Sequence, residues 1–203
     1  MDYRAWFLTW TTYGTWLPGD RRGFVSRTRH GPGPRRRQNA PGTPYERDKP
    51  ALVRAAIEQC KQPPVFLKQQ HCEAILHCLQ QTMRRWSWRL LAVAILRTHI
   101  HVLLLVQNDP SGFQVLRVLK GSLSRELSRK FEKPTGFRWW TSSGSTRCLK
   151  KQEEVISVTR YIEQQPNPLL VWTVSFQENV SKASEAKSLL TVMQEHVRKF
   201  SPG

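Results

Sequence analysis

The protein is a chain of 203 residues, a length that suits one or two domains. Its 32 Lys and Arg outnumber its 15 Asp and Glu, which gives a formal net charge of +17 at pH 7. Apolar residues form 39% of the chain, which is enough for a core and excludes wholesale disorder. The longest apolar run, residues 90–96, is far shorter than the ~20 residues that span a bilayer, and we expect no secretory signal. The composition predicts a basic cytoplasmic protein, without a membrane partner, that binds phosphates.

Cysteine usage fits a reducing compartment, because four cysteines are too few for a disulfide scaffold. Two of them lie at 71–78 together with two histidines and a glutamate, an arrangement that could suggest zinc. The segment has no CxxC pair, however, and a continuous helix cannot direct four such side chains at one ion. Free thiols are therefore the favoured interpretation.

Aromatic and β-branched residues at 5–15 predict a first strand, which ends in turn-forming residues at 16–20. Residues 21–49 follow as a Gly- and Pro-rich insertion with eight Arg and one Lys against two acidic residues. We interpret this insertion as an arm that grips phosphates rather than a solvated linker. Its candidate contacts are Arg21, Arg22, Arg35, Arg36 and Arg37.

The next part of the chain predicts two helices and then two strands. Helical patterns lie at 50–61, with Asp48 as a candidate cap, and at 68–85. Short runs of Leu, Val and Ile at 88–96 and 99–106 predict adjacent strands that are largely buried.

The remaining patterns are mostly helical. We predict a basic amphipathic helix at 113–131 and an aromatic, hydroxyl-rich loop at 137–147. A third strong helix follows at 151–165, and a terminal helix follows at 183–200. Strands interleaved with helices predict an α+β fold with a small antiparallel sheet. We expect one domain over residues 1–170, followed by a helical extension at 171–203.

Two histidines stand out on the strand at 99–106. Alternate side chains of a strand point to one face, so His99 and His101 project together while Ile100 enters the opposite, buried face. Two imidazoles side by side form half of a site for a divalent cation. Taken alone, the pair is weak evidence, because histidines in a core often have ordinary hydrogen-bond partners.

The helix at 151–165 carries a second pair of candidates. Tyr161 and Gln165 are four residues apart, so they share a stripe of the helix. A tyrosine can act as a covalent nucleophile, and a glutamine can offer its carbonyl oxygen to a metal. Without the histidines, a half-buried tyrosine and a solvent-facing glutamine would be the default interpretation.

Together these residues resemble the HUH single-tyrosine transposases, which include the IS200/IS605 type and the REP-associated tyrosine transposases. The family's His-hydrophobic-His motif matches residues 99–101, and its Tyr-x-x-x-Gln motif matches residues 161–165. The aromatic segment at 6–16 also resembles the first strand of REP-associated members. The resemblance covers about residues 3–170 and implies a ferredoxin-like antiparallel sheet flanked by helices, in a homodimer.

The resemblance also implies a mechanism. His99, His101 and Gln165 would hold one Mg²⁺ or Mn²⁺, and Tyr161 would attack a phosphate in single-stranded DNA. The products would be a 5′-phosphotyrosine link and a free 3′-OH, and attack by a 3′-OH would rejoin strands in DNA transposition. The link conserves the bond energy, so no nucleotide cofactor is expected, and the chain has no GxxxxGK[ST] motif.

The implied substrate is single-stranded DNA with hairpins, which would associate the protein with the nucleoid. Lys120 and Arg125 on the basic helix are candidates for gripping the phosphates of a stem, although a solvated face is equally compatible. The loop at 137–147 places aromatic residues beside cations, a pattern typical of stacking on unpaired bases, although its tryptophans could equally pack in the core. The candidates there are Arg138, Trp139, Trp140 and Arg147.

Two alternatives stay open. The chain could be a nucleic-acid-binding or regulatory protein on the same fold that has lost cleavage. A more distant alternative is a ferredoxin-like RNA-binding protein with an incidental histidine pair, but RRM-type recognition expects aromatic residues on a sheet strand. The strand at 99–106 is aliphatic, which counts against it.

Overall fold

The computed structural model describes residues 3–20, 27–28, 36–37 and 49–174, with backbone only at 27–28 and 36–37. The strands in these residues are β1 Tyr3–Thr11, β2 Arg27–Thr28, β3 Arg36–Arg37, β4 Arg89–Ile95, β5 His99–Gln107, β6 Ser145–Leu149 and β7 Leu170–Thr173. The helices are α1 Pro50–Glu58, α2 Gln69–Trp86, α3 Gly112–Lys130 and α4 Gln152–Glu163. In this part of the chain no helix combines the length and apolar character needed to cross a membrane.

The fold is a five-stranded sheet with helices on both faces. Its strand order is β6-β1-β5-β4-β7, and each neighbouring pair is antiparallel. Helices α2 and α3 pack on one face and α4 packs on the other. The predicted α+β fold with an antiparallel sheet is therefore confirmed.

Strand β5 lies at the centre of the sheet and is buried on both faces. Ile100, Val102 and Leu104 belong to the core under α2 and α3, whereas Leu103 and Leu105 belong to the core under α4. This two-sided burial explains why the strand reads as a continuous apolar run rather than as an alternating one. It also gives the two histidines at its start a rigid support.

Two strands of the sheet were not predicted. β6 lies where the sequence predicted a loop, and β7 follows Pro166 and Pro168. Both are short edge strands with mostly half-exposed residues, so neither carries a strong apolar pattern. Pairing of β7 with β4 continues to Thr173, three residues beyond the expected domain boundary at 170.

Several predicted ends also differ. β1 ends at Thr11 instead of residue 15, because Thr12 and Thr15 form a turn whose hydroxyls donate to the Thr98 carbonyl. Helix α1 begins at Pro50, as predicted, but ends at Glu58. The basic insertion contains the antiparallel β2–β3 ribbon; most of the insertion, including the Asp48 cap, and the helix at 183–200 lie outside the described residues.

Candidate active site

Strands β1 and β5 build the floor of the site. Their register pairs Thr9 with His101 and Thr11 with His99, so all four side chains lie on the face that α4 covers. The two imidazole rings are edge to face, with centroids 4.8 Å apart. Ile100 is fully buried on the opposite face, which confirms the predicted alternation.

His101 is held in one orientation and is uncharged at neutral pH. Its Nδ1 lies 2.7 Å from the Thr9 hydroxyl oxygen, and its ring stacks on Phe7 with centroids 5.6 Å apart. Burial, and then the neighbouring His99, lower the pKa of His101 to about 4, while Gln165 acts in the opposite direction. Among the described residues, the buried Nε2 has no partner at full hydrogen-bond distance and angle, and the hydrogen-bonding contact through which Gln165 raises the pKa is weaker than that. A neutral imidazole with one nitrogen held and the other unpaired matches the usual arrangement of a metal-ligating histidine.

His99 lies at the rim of the site and is half-buried. The Thr98 hydroxyl is 3.0 Å from its Nδ1, and the edge of Trp16 meets its ring with centroids 6.4 Å apart. The two histidines therefore differ in burial: the ring of His101 lies in the interior, and the ring of His99 lies towards solvent.

Helix α4 brings the candidate nucleophile to the histidines. Val155, Val158 and Ile162 are buried and fix the helix against the sheet. On the neighbouring stripe, Tyr161 stands edge-on to His101, with ring centroids 5.4 Å apart. Its side chain is 49% exposed, so it is open to solvent.

Gln165 is near the site but is not on the helix. The sequence predicted a helix to residue 165, whereas α4 ends at Glu163, so the shared helical stripe with Tyr161 is wrong. The reason is Pro166, since the residue before a proline is disfavoured in helical conformation. The Gln165 side chain turns back instead, and its Nε2 donates to the Tyr161 carbonyl oxygen at 3.0 Å. It also lies close enough to His101 to affect the pKa of that ring.

The residues present fit a divalent ion. The described residues contain no cluster of three or more His, Cys, Asp or Glu that could hold a metal. The candidate ligands are instead two imidazoles and one amide oxygen, and the unpaired buried Nε2 of His101 is the observation that favours a metal here. The amide oxygen is the type of ligand that suits Mg²⁺ and Mn²⁺, and the two imidazoles are the softer ligands of the set.

The predicted base-stacking tryptophans are core residues. Trp139 is 2% exposed and Trp140 is 6% exposed. Trp139 packs on His71 and donates from its indole N–H to the Ser128 hydroxyl at 2.9 Å, and Trp140 packs on Trp10. Stacking on a base requires an exposed ring face, so the structure corrects this prediction in favour of core packing.

The predicted phosphate contact at Lys120 is also corrected. Its half-buried ammonium donates to the carbonyl oxygens of Thr141, Ser142 and Ser143, at 2.5, 3.3 and 2.9 Å. Burial lowers the pKa of Lys120 to about 8. All three N–H donors of the ammonium are therefore engaged in holding the loop that precedes β6.

The arginine candidates are widely separated. Arg125 is exposed on α3, on the face of the sheet opposite the histidines, whereas Arg147 on β6 pairs with Glu154 at 2.8 Å. Arg138 is exposed, and the Gln62 side chain holds its backbone N–H and carbonyl. Arg36 and Arg37 form β3, while Arg21, Arg22 and Arg35 lie outside the described residues.

Two contributors to the site were not predicted from the sequence. Thr9 orients His101, and Trp16 contacts His99. Period-two alternation in β1 could have placed Thr9 and Thr11 on one face, but the sequence does not reveal the register between β1 and β5.

Known proteins resemble this chain in sequence and in structure. A family model described as an IS200-like transposase matches residues 57–165, a range that includes both histidines, Tyr161 and Gln165. A solved structure of a Deinococcus radiodurans R1 protein assigned as a transposase has 13% identity and a TM-score of 0.44, covering 82% of this chain and 94% of its own. A solved structure of a REP-associated tyrosine transposase bound to a REP hairpin has 11% identity and a TM-score of 0.41. The match covers 80% of this chain and 66% of that one. None of the curated proteins matches. Because the family model matches more than half of the chain, the protein belongs to the IS200-like transposase family.

Proposed function

We propose that this transposase cleaves and rejoins single-stranded DNA through a covalent link to Tyr161, with Mg²⁺ or Mn²⁺ held by His99, His101 and Gln165. One observation carries the proposal. The half-exposed ring of Tyr161 lies against His101, whose buried Nε2 makes no full hydrogen bond among the described residues. A nucleophile beside an orphaned ligand nitrogen is the arrangement that this chemistry needs.

Tyr161 supplies the covalent step. Its phenolic oxygen attacks the scissile phosphorus and forms an O–P bond as the bond from phosphorus to the 3′ oxygen breaks. The phenol gives up its proton as the O–P bond forms, the 3′ oxygen takes up a proton and leaves as a hydroxyl group, and the 5′ phosphate stays on the tyrosine. A 3′-hydroxyl that attacks this phosphotyrosine reverses the exchange and joins the strands, so neither step needs an external energy source.

The surrounding residues orient the participants. The Thr9 hydroxyl fixes the ring of His101, and Phe7 packs against both that ring and the ring of Tyr161. The bond to the Tyr161 carbonyl oxygen holds the Gln165 side chain at the end of α4. A divalent ion bound to these ligands would polarise the scissile phosphate and stabilise its developing charge.

The proposed substrate is single-stranded DNA that folds into hairpins, as the family resemblance implies. The net charge of +17 supports a polyanionic partner. Exposed cations such as Arg125 and Arg138, and the arginines of the basic insertion, are the proposed phosphate contacts.

We further propose that the protein acts as a homodimer, as the resemblance implies. One chain already brings Tyr161 and both histidines together, so pairing is not required to assemble this site. Light scattering of the purified protein, with and without a hairpin, measures the mass of the assembly. A mass of one chain under both conditions would contradict the homodimer.

Covalent attachment tests the cleavage proposal. Single-stranded hairpins from the DNA that flanks the gene are labelled at both ends in separate samples and incubated with Mn²⁺ or Mg²⁺. We expect a protein–DNA adduct that survives denaturation and retains the label from the 3′ side of the cut. Tight binding of a hairpin without any adduct would instead support the cleavage-deficient binding protein.

A further inference from the structure

A cavity of about 760 Å³ opens beside the histidines, where the loop before β6 separates from β1. The turn at 13–18 forms one wall, and the segment at 138–145 forms another. Its size falls within the ~300–1,000 Å³ typical of small-molecule sites. Apart from the phosphate contact proposed for Arg138, no role given above places a ligand in this space.

The cavity and the candidate active site share two residues. Thr9 lines the cavity and also holds His101, at 2.7 Å. Trp16 lines the cavity and also contacts the ring of His99. The cavity is therefore one residue removed from the histidines, which do not line it themselves.

The lining suits a nucleotide. Aromatic rings come from residues such as Tyr13 and Trp16, hydroxyl groups come from the threonines and serines of β1 and the loop, and Arg138 supplies a cation. No carboxylate occurs among the described residues that line it. Aromatic faces stack on bases, and hydroxyls with an arginine contact phosphate and sugar, so the lining disfavours a cationic ligand and favours an anionic one.

The wall at 138–145 is held in place before any ligand binds. Lys120 donates to three successive carbonyl oxygens of this segment. Gly144 fits so closely that an added Cβ would lie 2.8 Å from both a Leu116 methyl and the Thr9 carbonyl oxygen. A preformed wall lowers the entropy lost on binding. Lys120 is thus a positioning residue for this cavity.

We propose that this cavity binds one unpaired nucleotide of the DNA strand, next to the phosphate that Tyr161 attacks. The inference rests on the proposed function, because it takes the strand at the histidines as its reference. It assigns a site for the unpaired flank of the substrate, as distinct from the hairpin stem.

Photochemical crosslinking tests the location directly. The probe is a DNA hairpin with unpaired flanks of random sequence in which 5-iododeoxyuridine replaces thymidine, bound to the full-length Tyr161→Phe variant. We expect ultraviolet light to join the flanks to the tryptic peptide that contains Tyr13 and Trp16, and a blunt hairpin to give no such product. Crosslinks from the flanks only to other peptides would overturn the proposal.

Affinity supplies a second test. Trp16→Ala should weaken binding of the flanked hairpin by about fivefold to 150-fold, the range for loss of one stacked base, and should weaken binding of the blunt hairpin less. Trp16→Phe should restore most of the affinity, and Lys120→Met should act in the same direction as Trp16→Ala. Equal affinities of wild type and Trp16→Ala for the flanked hairpin would contradict the proposal.

The two proposals fail in different ways. If the wild type never forms an adduct but its flank crosslinks to the Tyr13–Trp16 peptide, cleavage is wrong and the nucleotide site stands. If the adduct forms while the flank crosslinks elsewhere, the nucleotide site is wrong and cleavage stands.

Discussion

The hydroxyl of Thr9 on β1 lies 2.7 Å from Nδ1 of His101 on β5, across the central strand pair. This contact engages Nδ1, so Nε2 is the nitrogen left as the candidate metal ligand. Partners of this kind fix the orientation and tautomer of a ligand, and their loss typically reduces metal affinity or activity about 10- to 100-fold.

Thr9→Val should therefore weaken Mn²⁺ binding about 10- to 100-fold while preserving the shape of the side chain. Isothermal titration calorimetry with Mn²⁺ measures the effect without relying on activity. Thr11→Val is the matched control, because Thr11 pairs with His99 in the sheet but its hydroxyl bonds to Thr141. Equal Mn²⁺ affinities in wild type and Thr9→Val would show that this hydroxyl does not position the ligand.

Because Trp139 is a core residue, its replacement should lower the stability of the fold. Trp139→Ala should lower the free energy of unfolding by about 3–5 kcal/mol, because it empties a fully packed site beside His71 and Phe137. Urea unfolding followed by circular dichroism measures it. Arg138→Ala, at the exposed neighbour, should change stability by less than about 0.5 kcal/mol. A stable Trp139→Ala variant with weakened DNA binding would restore the base-stacking interpretation.

We predict that the protein loses stability in acid because the pKa of the buried His71 is lowered in the folded state. Burial, and then the charges of Lys133 and Lys68, lower the pKa of His71 from its ordinary value of 6.5. The unfolded chain therefore takes up a proton at a higher pH than the folded protein does, so the free energy of unfolding falls as the pH drops below about 6.5. The backbone N–H of Lys68 donates to Nδ1 of His71 at 2.8 Å, and protonation there would also break this helix cap.

His71→Gln is the variant for this test, since glutamine at the same helix position can keep the cap without titrating. The unfolding free energy is measured in urea between pH 7.5 and 5 (roughly, the range that spans a free histidine). The wild type should lose more stability over this range than the variant. His101 contributes in the same direction in both proteins, so the difference between the curves isolates His71. Parallel curves would mean that His71 does not titrate differently in the two states.

The sequence predicted the parts of the site that depend on local periodicity. Alternation placed His99 and His101 on one face of β5, and helical spacing placed Tyr161 beside the buried stripe of α4. It could not supply the partner of His101, because Thr9 comes from a strand 92 positions away and its register depends on the whole sheet.

Other features were misjudged for physical reasons. A tryptophan next to an arginine, as at Arg138 and Trp139, gives the same sequence pattern whether the tryptophan lies on the surface or in the core. Only the packing of α2 and α3 decides which of the two positions it takes. Gln165 precedes a proline, which was a readable signal for an earlier end of the helix. The edge strands β6 and β7 acquire their structure from pairing with β1 and β4 rather than from their own sequence.

The central claim is that Tyr161 is the nucleophile, and the mass of one peptide tests it most directly. Trypsin cleaves after Arg160, so Tyr161 begins a peptide that contains no other tyrosine. After reaction with a hairpin and Mn²⁺, nuclease digestion and mass spectrometry should find a nucleotide phosphate on this peptide. Tyr161→Phe should abolish the adduct and keep hairpin binding, and Tyr3→Phe, at the far end of β1, should retain it. A nucleotide on any other peptide, or an adduct formed by Tyr161→Phe, would contradict the account.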